Sequence, residues 1–305
     1  MRIVSLLPSA TEILFAIGAG DDVVGATFEC DVPAEARQRR IVSTSALPEG
    51  LSSAEIDAFV TQAAQAGEDL YHLDAGALTD LDADLVVTQD LCAVCAIDVS
   101  AVDDALAHLG CTAQVLTLDP HTIEEVLHSI LVLGDATGHR AGADDLVASL
   151  RQRLAAVEEH VASRPGLPPR VLLLEWTDPP FAPGHWVPEM VAAAGGVATV
   201  GRAGAKSVRV TWDDAMAGDP EVVVCAPCGF DLPGSAALAD DLVASGVLPE
   251  HLPVWAVDAD GCFARPGPRL VDGVEALTWL LDPAERRAEW WDGLGSATPP
   301  LDVRR

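Results

Sequence analysis

Short, almost wholly apolar runs alternate along the chain with longer stretches in which apolar residues recur every three or four positions. Residues 2–6, 85–88 (Leu-Val-Val-Thr), 113–117, 170–175 (Arg-Val-Leu-Leu-Leu-Glu), 221–225 (Glu-Val-Val-Val-Cys) and 254–257 show the first pattern. Runs this short and this apolar predict strands buried on both faces. Helical periodicity lies near each of them, which makes the fold class α/β with mostly parallel sheets. Helix starts are marked by capping residues: Ser9 ahead of 10–18, Ser52 or Ser53 with Glu55 ahead of 54–66, and Thr211 or Asp213 ahead of 212–217.

The segment 121–165 departs from this alternation. From Ile123 through Val126, Leu127, Ile130 and Leu133 to Leu146, Leu150, Leu154, Val157 and Val161 the helical period persists, until Arg-Pro-Gly-Leu-Pro-Pro ends it. A single helix over roughly 40 residues would be about 60 Å long and would join two separate bodies. Two helices with a turn at Gly138–His139 satisfy the same pattern. Either form divides the chain into an N-terminal α/β lobe (1–120), a helical connector (121–165) and a C-terminal α/β lobe (166–305).

Composition narrows the partners. Eighteen Lys and Arg stand against 47 Asp and Glu, a formal charge of -29. That field repels phosphate backbones and anionic lipid, so nucleic acid and membrane surfaces are poor partners. Lys206 is the only lysine. No apolar stretch is long enough for a membrane span, so no membrane insertion is expected. The opening apolar run is broken at Pro8, too short for the core of a secretory signal. The chain as written is therefore expected in the cytoplasm, and outside it only if a leader has been removed.

Ligands of parallel α/β sheets gather beyond the carboxyl ends of the strands, and the loops there are the unusual part of this sequence. They carry Ser9 after the first strand, Phe28-Glu29-Cys30-Asp31, Gln89-Asp90-Leu91-Cys92-Ala93-Val94-Cys95, Trp176-Thr177-Asp178-Pro179-Pro180-Phe181 and Pro227-Cys228-Gly229-Phe230-Asp231. Ser9 and Glu29 are polar ligand candidates. Trp176, Phe181, Trp186 and Phe230 offer flat apolar surface for a planar ligand. His185, in a turn bounded by Gly and Pro, either ligates the metal of such a ligand or caps the helix starting near Val187. Arg265 and Arg269 pair either with ligand carboxylates or phosphate or with Asp258 or Asp272. No nucleophile elbow, phosphate-cradling loop or dinucleotide turn follows a strand, so binding without catalysis is expected.

The opening Arg2-Ile3-Val4-Ser5-Leu6-Leu7-Pro8-Ser9-Ala10-Thr11-Glu12, the strand Asp84-Leu85-Val86-Val87-Thr88-Gln89, the turn Gly184-His185-Trp186-Val187-Pro188-Glu189-Met190 and the late Arg265-Pro266-Gly267-Pro268-Arg269 together resemble a known family. It is that of the helical-backbone substrate-binding proteins of ABC importers, in its cobalamin and iron-chelate branch, and the resemblance covers nearly the whole chain. It implies two α/β lobes joined by a long helix, a ligand cleft between the lobes, capture of cobalamin or a related metal chelate without chemistry, and an ABC transporter permease as partner. The chain departs from exported members in its cysteine-bearing loops and resembles a leaderless subgroup with Glu-Cys-Asp, Asp-Leu-Cys-x-Val-Cys and Pro-Cys-Gly-Phe-Asp.

Those cysteines support a second reading. Cys30, Cys92, Cys95 and Cys228 at strand ends would suit Zn²⁺ or an iron–sulfur cluster, in a cytoplasmic metal protein. The alternative reading leaves them as reduced thiols or a local Cys92–Cys95 disulfide. A shared metal predicts that Cys95→Ser and Cys228→Ser each lose most of it, as read by elemental analysis of the purified variants. Full metal content in Cys228→Ser would rule out the four-cysteine site.

Overall fold

The computed structural model describes residues 1–48, 50–66, 70–73, 75–89, 113–282 and 301–304. The chain divides into two compact units, Met1–Pro120 with Glu124–Ala148, and His121–Ile123 with Ser149–Arg305. The first contains β1 (Ile3–Ser5), α1 (Pro8–Ala16), β2 (Val23–Ala26), β3 (Arg40–Ile41), β4 (Ser43–Ser45), α2 (Ser53–Ala66), β5 (Tyr71–Leu73), β6 (Leu85–Thr88) and β7 (Gln114–Thr117). Its main sheet has the order β3-β2-β1-β6-β7 and is parallel throughout. β1 and β6 are buried along their whole length, as their unbroken apolar runs require.

Helix starts follow local chemistry, with one shift. Ser52 and Glu55 form the reciprocal cap expected of α2: the Ser52 amide donates to Glu55 Oε2 at 2.9 Å and the Glu55 amide to Ser52 Oγ at 3.4 Å. The hydrogen bond from the Ser52 hydroxyl holds the Glu55 carboxyl below its ordinary range. At α1 the sequence points to Ser9 as the cap, but the helix begins at Pro8 and Leu7 occupies the cap position. Proline in the first turn lacks only an amide that has no helical partner there, and its fixed φ already suits a helix. Ser9 therefore lies inside the first turn, 3 % exposed.

The continuous helix expected over 121–163 is two helices, α3 (Ile123–Thr137) and α4 (Arg140–Ser163). Gly138 adopts a φ of +75°, and the His139 amide reaches back to the Gly134 carbonyl at 2.8 Å. This left-handed glycine closure satisfies carbonyls at the end of α3 and forces a new helix to begin. The 24 residues of α4 still span roughly 36 Å, and the helix runs from the first unit into the second.

The second unit contains β8 (Arg170–Leu174), β9 (Trp176–Thr177), β10 (Pro180–Ala182), α5 (Val187–Ala193), β11 (Val197–Ala198), β12 (Val208–Arg209), α6 (Trp212–Met216), β13 (Val222–Cys225), α7 (Leu232–Ser245), β14 (Val254–Val257), α8 (Leu270–Leu281) and β15 (Leu301–Val303). The main sheet runs β11-β8-β13-β14-β15, parallel except for β15. β9, β10 and β12 form a separate antiparallel ribbon. Leu172, Val223, Cys225 and Ala256 of the sheet pack with Ala239 and Leu242 of α7.

An ion pair fastens α4 to α8. Arg153 donates to Glu275 at 2.9 Å and to Asp272 at 2.5 Å, and the Glu275 side chain is only 4 % exposed against 32 % for Arg153. Removing the cation strands a buried carboxylate. Arg153→Met is expected to lower the unfolding free energy by about 2 kcal/mol, reduced from the fully buried case because the guanidinium is partly solvated. In urea titrations, Arg153→Met with Glu275→Leu should recover most of that loss, and a double variant no more stable than the single would contradict this account.

Candidate functional site

The candidate site of the second unit is built outward from Glu175, the residue after β8. Its amide donates to the Phe181 carbonyl at 3.1 Å, and its carbonyl accepts from the Cys228 amide at 3.1 Å. Its carboxylate accepts from the Gly184 amide at 3.3 Å and from the Ser207 hydroxyl. The hairpin β9–β10, the turn at Gly184 and the loop before β12 are thereby fixed to one another. Glycine is required at 184, because a Cβ there would lie 2.4 Å from the Ala205 carbonyl oxygen and from the Ser207 nitrogen. Two further backbone bonds close the junction, His185 N–H to Ala205 at 2.6 Å and Gly204 N–H to His185 at 2.9 Å.

The ribbon fixed in this way presents a row of aromatic rings. Trp176 lies opposite Phe181 in the antiparallel register, and Phe181 lies opposite Arg209. Directly opposed residues project on the same face. Phe230, from the loop after β13, packs on Trp176 with ring centroids 5.7 Å apart, and the Arg209 guanidinium stands 5.6 Å from the Phe181 centroid. The Trp176 indole donates to the Asp178 carbonyl at 3.0 Å, which fixes the plane of that ring. All three rings are half-buried and Arg209 is exposed. The arrangement is an apolar platform with a cation at one end, suited to a planar ligand bearing an anionic group. Sequence reasoning found the three aromatics but missed Arg209; the signal was a lone cation between valines in Val208-Arg209-Val210.

The remaining candidates are distributed differently. His185 does not cap α5: the cap position belongs to Trp186, without a side-chain bond. His185 has a φ of +49° and its ring stacks on His121, with centroids 5.6 Å apart and planes at 14°. Trp186 is 4 % exposed and donates to the Phe263 carbonyl at 2.7 Å, so its ring packs inside the unit. Arg265 is buried against Asp260, donating from Nε at 3.2 Å, whereas Arg269 takes Asp258, one of the two partners the sequence offered it, at 2.8 Å. Asp260 in turn donates its amide to the Phe230 carbonyl at 2.9 Å, which ties the Arg265 pair to the aromatic row.

In the first unit, Ser9 is buried and Glu29 half-buried. Cys30 is 1 % exposed, its sulfur 3.0 Å from the Thr11 hydroxyl and 3.2 Å from that of Thr27. Cys228 is exposed, in the second unit. Cys92 and Cys95 lie outside the described residues. Among the described residues no group of three or more His, Cys, Asp or Glu is placed to hold a metal ion, and no helix is long and apolar enough to cross a membrane.

Two α/β units built on parallel sheets, with a helix continuing from one into the other, define the class of two-lobed binding proteins. The chain belongs to the periplasmic binding protein family, whose model matches residues 3–248. It is 27 % identical over 291 residues to an uncharacterized ABC transporter substrate-binding lipoprotein, YvrC, of Bacillus subtilis, covering 92 % of this chain and 80 % of the relative. It is 24 % identical over 286 residues to the vitamin B12-binding protein of Vibrio cholerae, covering 94 % and 91 %. Among solved structures it shares its fold with a periplasmic heme-binding protein of Pseudomonas aeruginosa, with a TM-score of 0.69, 19 % identity and coverage of 100 % and 98 %. It also shares it with the vitamin B12-binding protein BtuF of V. cholerae, with a TM-score of 0.60, 23 % identity and coverage of 94 % and 98 %.

Cys225 sits at the end of β13, fully buried, and burial pushes its thiol from 9.0 up to about 12. Below pH 9 the thiol is neutral in both states and its burial stabilises in full. Above that the unfolded thiol ionises first, so stability is lost between about pH 9 and 12. Six other cysteines, one tyrosine and one lysine also titrate there, so the contribution of Cys225 is read from the difference between the native chain and Cys225→Ala. The melting temperature, followed by calorimetry, is expected to fall across this range, and more shallowly in Cys225→Ala; equal slopes would contradict the assignment.

Proposed function

We propose that the chain is the substrate-binding component of an ABC importer, delivering its ligand to a permease partner. The ligand is cobalamin or a related metal–tetrapyrrole or metal chelate, captured without bond chemistry. The observation that carries this reading is the row Phe230–Trp176–Phe181: two half-buried rings on one face of a ribbon braced by Glu175, with the half-buried Phe230 of the loop after β13 packed on Trp176. A flat chelate laid on that row exchanges water-exposed ring surface for ring–ring contact. Membership of the periplasmic binding protein family supports the transport role. Relatives and fold neighbours named for vitamin B12 and heme support the ligand class.

Titration calorimetry of the full chain with cyanocobalamin, ferric protoporphyrin and a ferric hydroxamate tests it. One of the three is expected to saturate at one ligand per chain. Trp176→Ala and Phe181→Ala are each expected to weaken that binding by about tenfold while leaving the fold intact by circular dichroism. A folded protein that binds none of the three would overturn the reading.

A further inference from the structure

We infer that Gly234, in the first turn of α7, is a positioning residue for ligand binding: its missing side chain seats the Phe230 ring and fixes the angle at which that ring meets Trp176. The inference rests on the aromatic row being the ligand platform. Backbone geometry does not explain the glycine. Gly234 is outside the left-handed region and lies in a regular helix, where alanine is the more stable residue. Its amide donates to Asp231 Oδ1 at 2.9 Å, a capping bond that any residue other than proline could make.

What an added Cβ would meet is the ring. It would lie 2.7 Å from Phe230 Cδ1 and 3.4 Å from Phe230 Cβ, with Asp231 Oδ1 at 3.3 Å. Two other helical glycines, Gly142 and Gly273, face backbone instead, the Ile17 and Cys262 carbonyl oxygens at 2.3 and 2.5 Å. There glycine serves the packing of the helix; at 234 it serves a side chain of the row. Phe230 has little room to answer a push by moving its backbone. Its amide donates to the Pro227 carbonyl at 3.2 Å, and its carbonyl accepts from the Asp260 amide at 2.9 Å and from the Ser235 hydroxyl at 3.4 Å. The displacement therefore falls on the ring torsions. That ring packs on Trp176 with centroids 5.7 Å apart and planes at 56°. A flat ligand lying on Trp176 meets Phe230 at an angle, and contact between aromatic surfaces depends on orientation as well as on distance. A methyl group at 234 thus acts on the ligand through Phe230.

A double-variant cycle tests this on the full chain, with Gly234→Ala, Phe230→Ala and the two combined. Binding is titrated with cyanocobalamin, ferric protoporphyrin and a ferric hydroxamate, and melting is followed by calorimetry. Gly234→Ala is expected to weaken the probe that binds by about tenfold, and to weaken it no further once Phe230 is alanine. The melting midpoint is expected to fall in Gly234→Ala with Phe230 present and to rise in the Phe230→Ala background, where helix propensity acts alone. A glycine with a purely structural role would shift the midpoint equally in both backgrounds and leave affinity alone; that result overturns the inference and leaves the aromatic platform standing. Unchanged affinity in Gly234→Ala, or equal weakening with and without Phe230, overturns it as well. If a folded chain binds none of the three probes, the platform reading fails and this inference with it.

Discussion

The aromatic row hangs on Glu175, whose backbone and carboxylate hydrogen bonds tie together the segments that carry it. A strand in a parallel sheet hands its chain to a crossover, yet β8 is followed at once by an antiparallel hairpin, and the two geometries meet at this residue. Its amide and carbonyl bind Phe181 and Cys228, and its carboxylate takes Gly184 and Ser207. The bond to Phe181 sets the hairpin register that puts Trp176 opposite Phe181. A slip of one residue would turn Trp176 to the other face and break the row. Because the carboxylate is half-buried, loss of its donors would leave it poorly solvated, so the arrangement is held by the cost of leaving it.

The strands were legible because a strand covered on both faces leaves no freedom to its sequence. Residues 85–88, 222–225 and 254–257 are almost wholly apolar, and each is a strand within a residue of where its pattern ends. The class of the fold follows from them. What the pattern hid was set by single residues acting on backbone geometry. Apolar spacing continues through Gly138 unbroken, because spacing records which face is buried and not whether the helix stays one piece. Pro8 displaced a cap from Ser9 for the same kind of reason. Partners across the chain were the least legible: Arg265 finds Asp260, five residues earlier, in a π-helical turn that carries no periodic signature.

The cysteines show how one spacing serves opposite environments. Cys225 and Cys228 are three residues apart at the end of β13. Cys225 still belongs to the strand and points into the packing of Leu172, Val223 and Ala256; Cys228 lies past the strand and is exposed. Cys30 is different again, wedged between two threonine hydroxyls beside Ala26 and Ala36. A small polarizable side chain suits all three positions, so cysteine content at strand ends carries less information about metal than its clustering implies.

The second unit is not a contiguous piece of chain. Residues 121–123 belong to it although their neighbours on both sides belong to the first, and what they bind is made much later: Glu189 accepts the Ile123 amide at 2.8 Å, and His185 stacks on His121. A ribosome extends the chain by about 5–20 residues per second, so these three residues wait several seconds for their partners to emerge. The first unit can complete its parallel sheet in that interval, but α3 begins without the carboxylate that later receives its first amide. Synthesis thus imposes an order in which the earlier unit matures around a helix whose start is finished only by the later one.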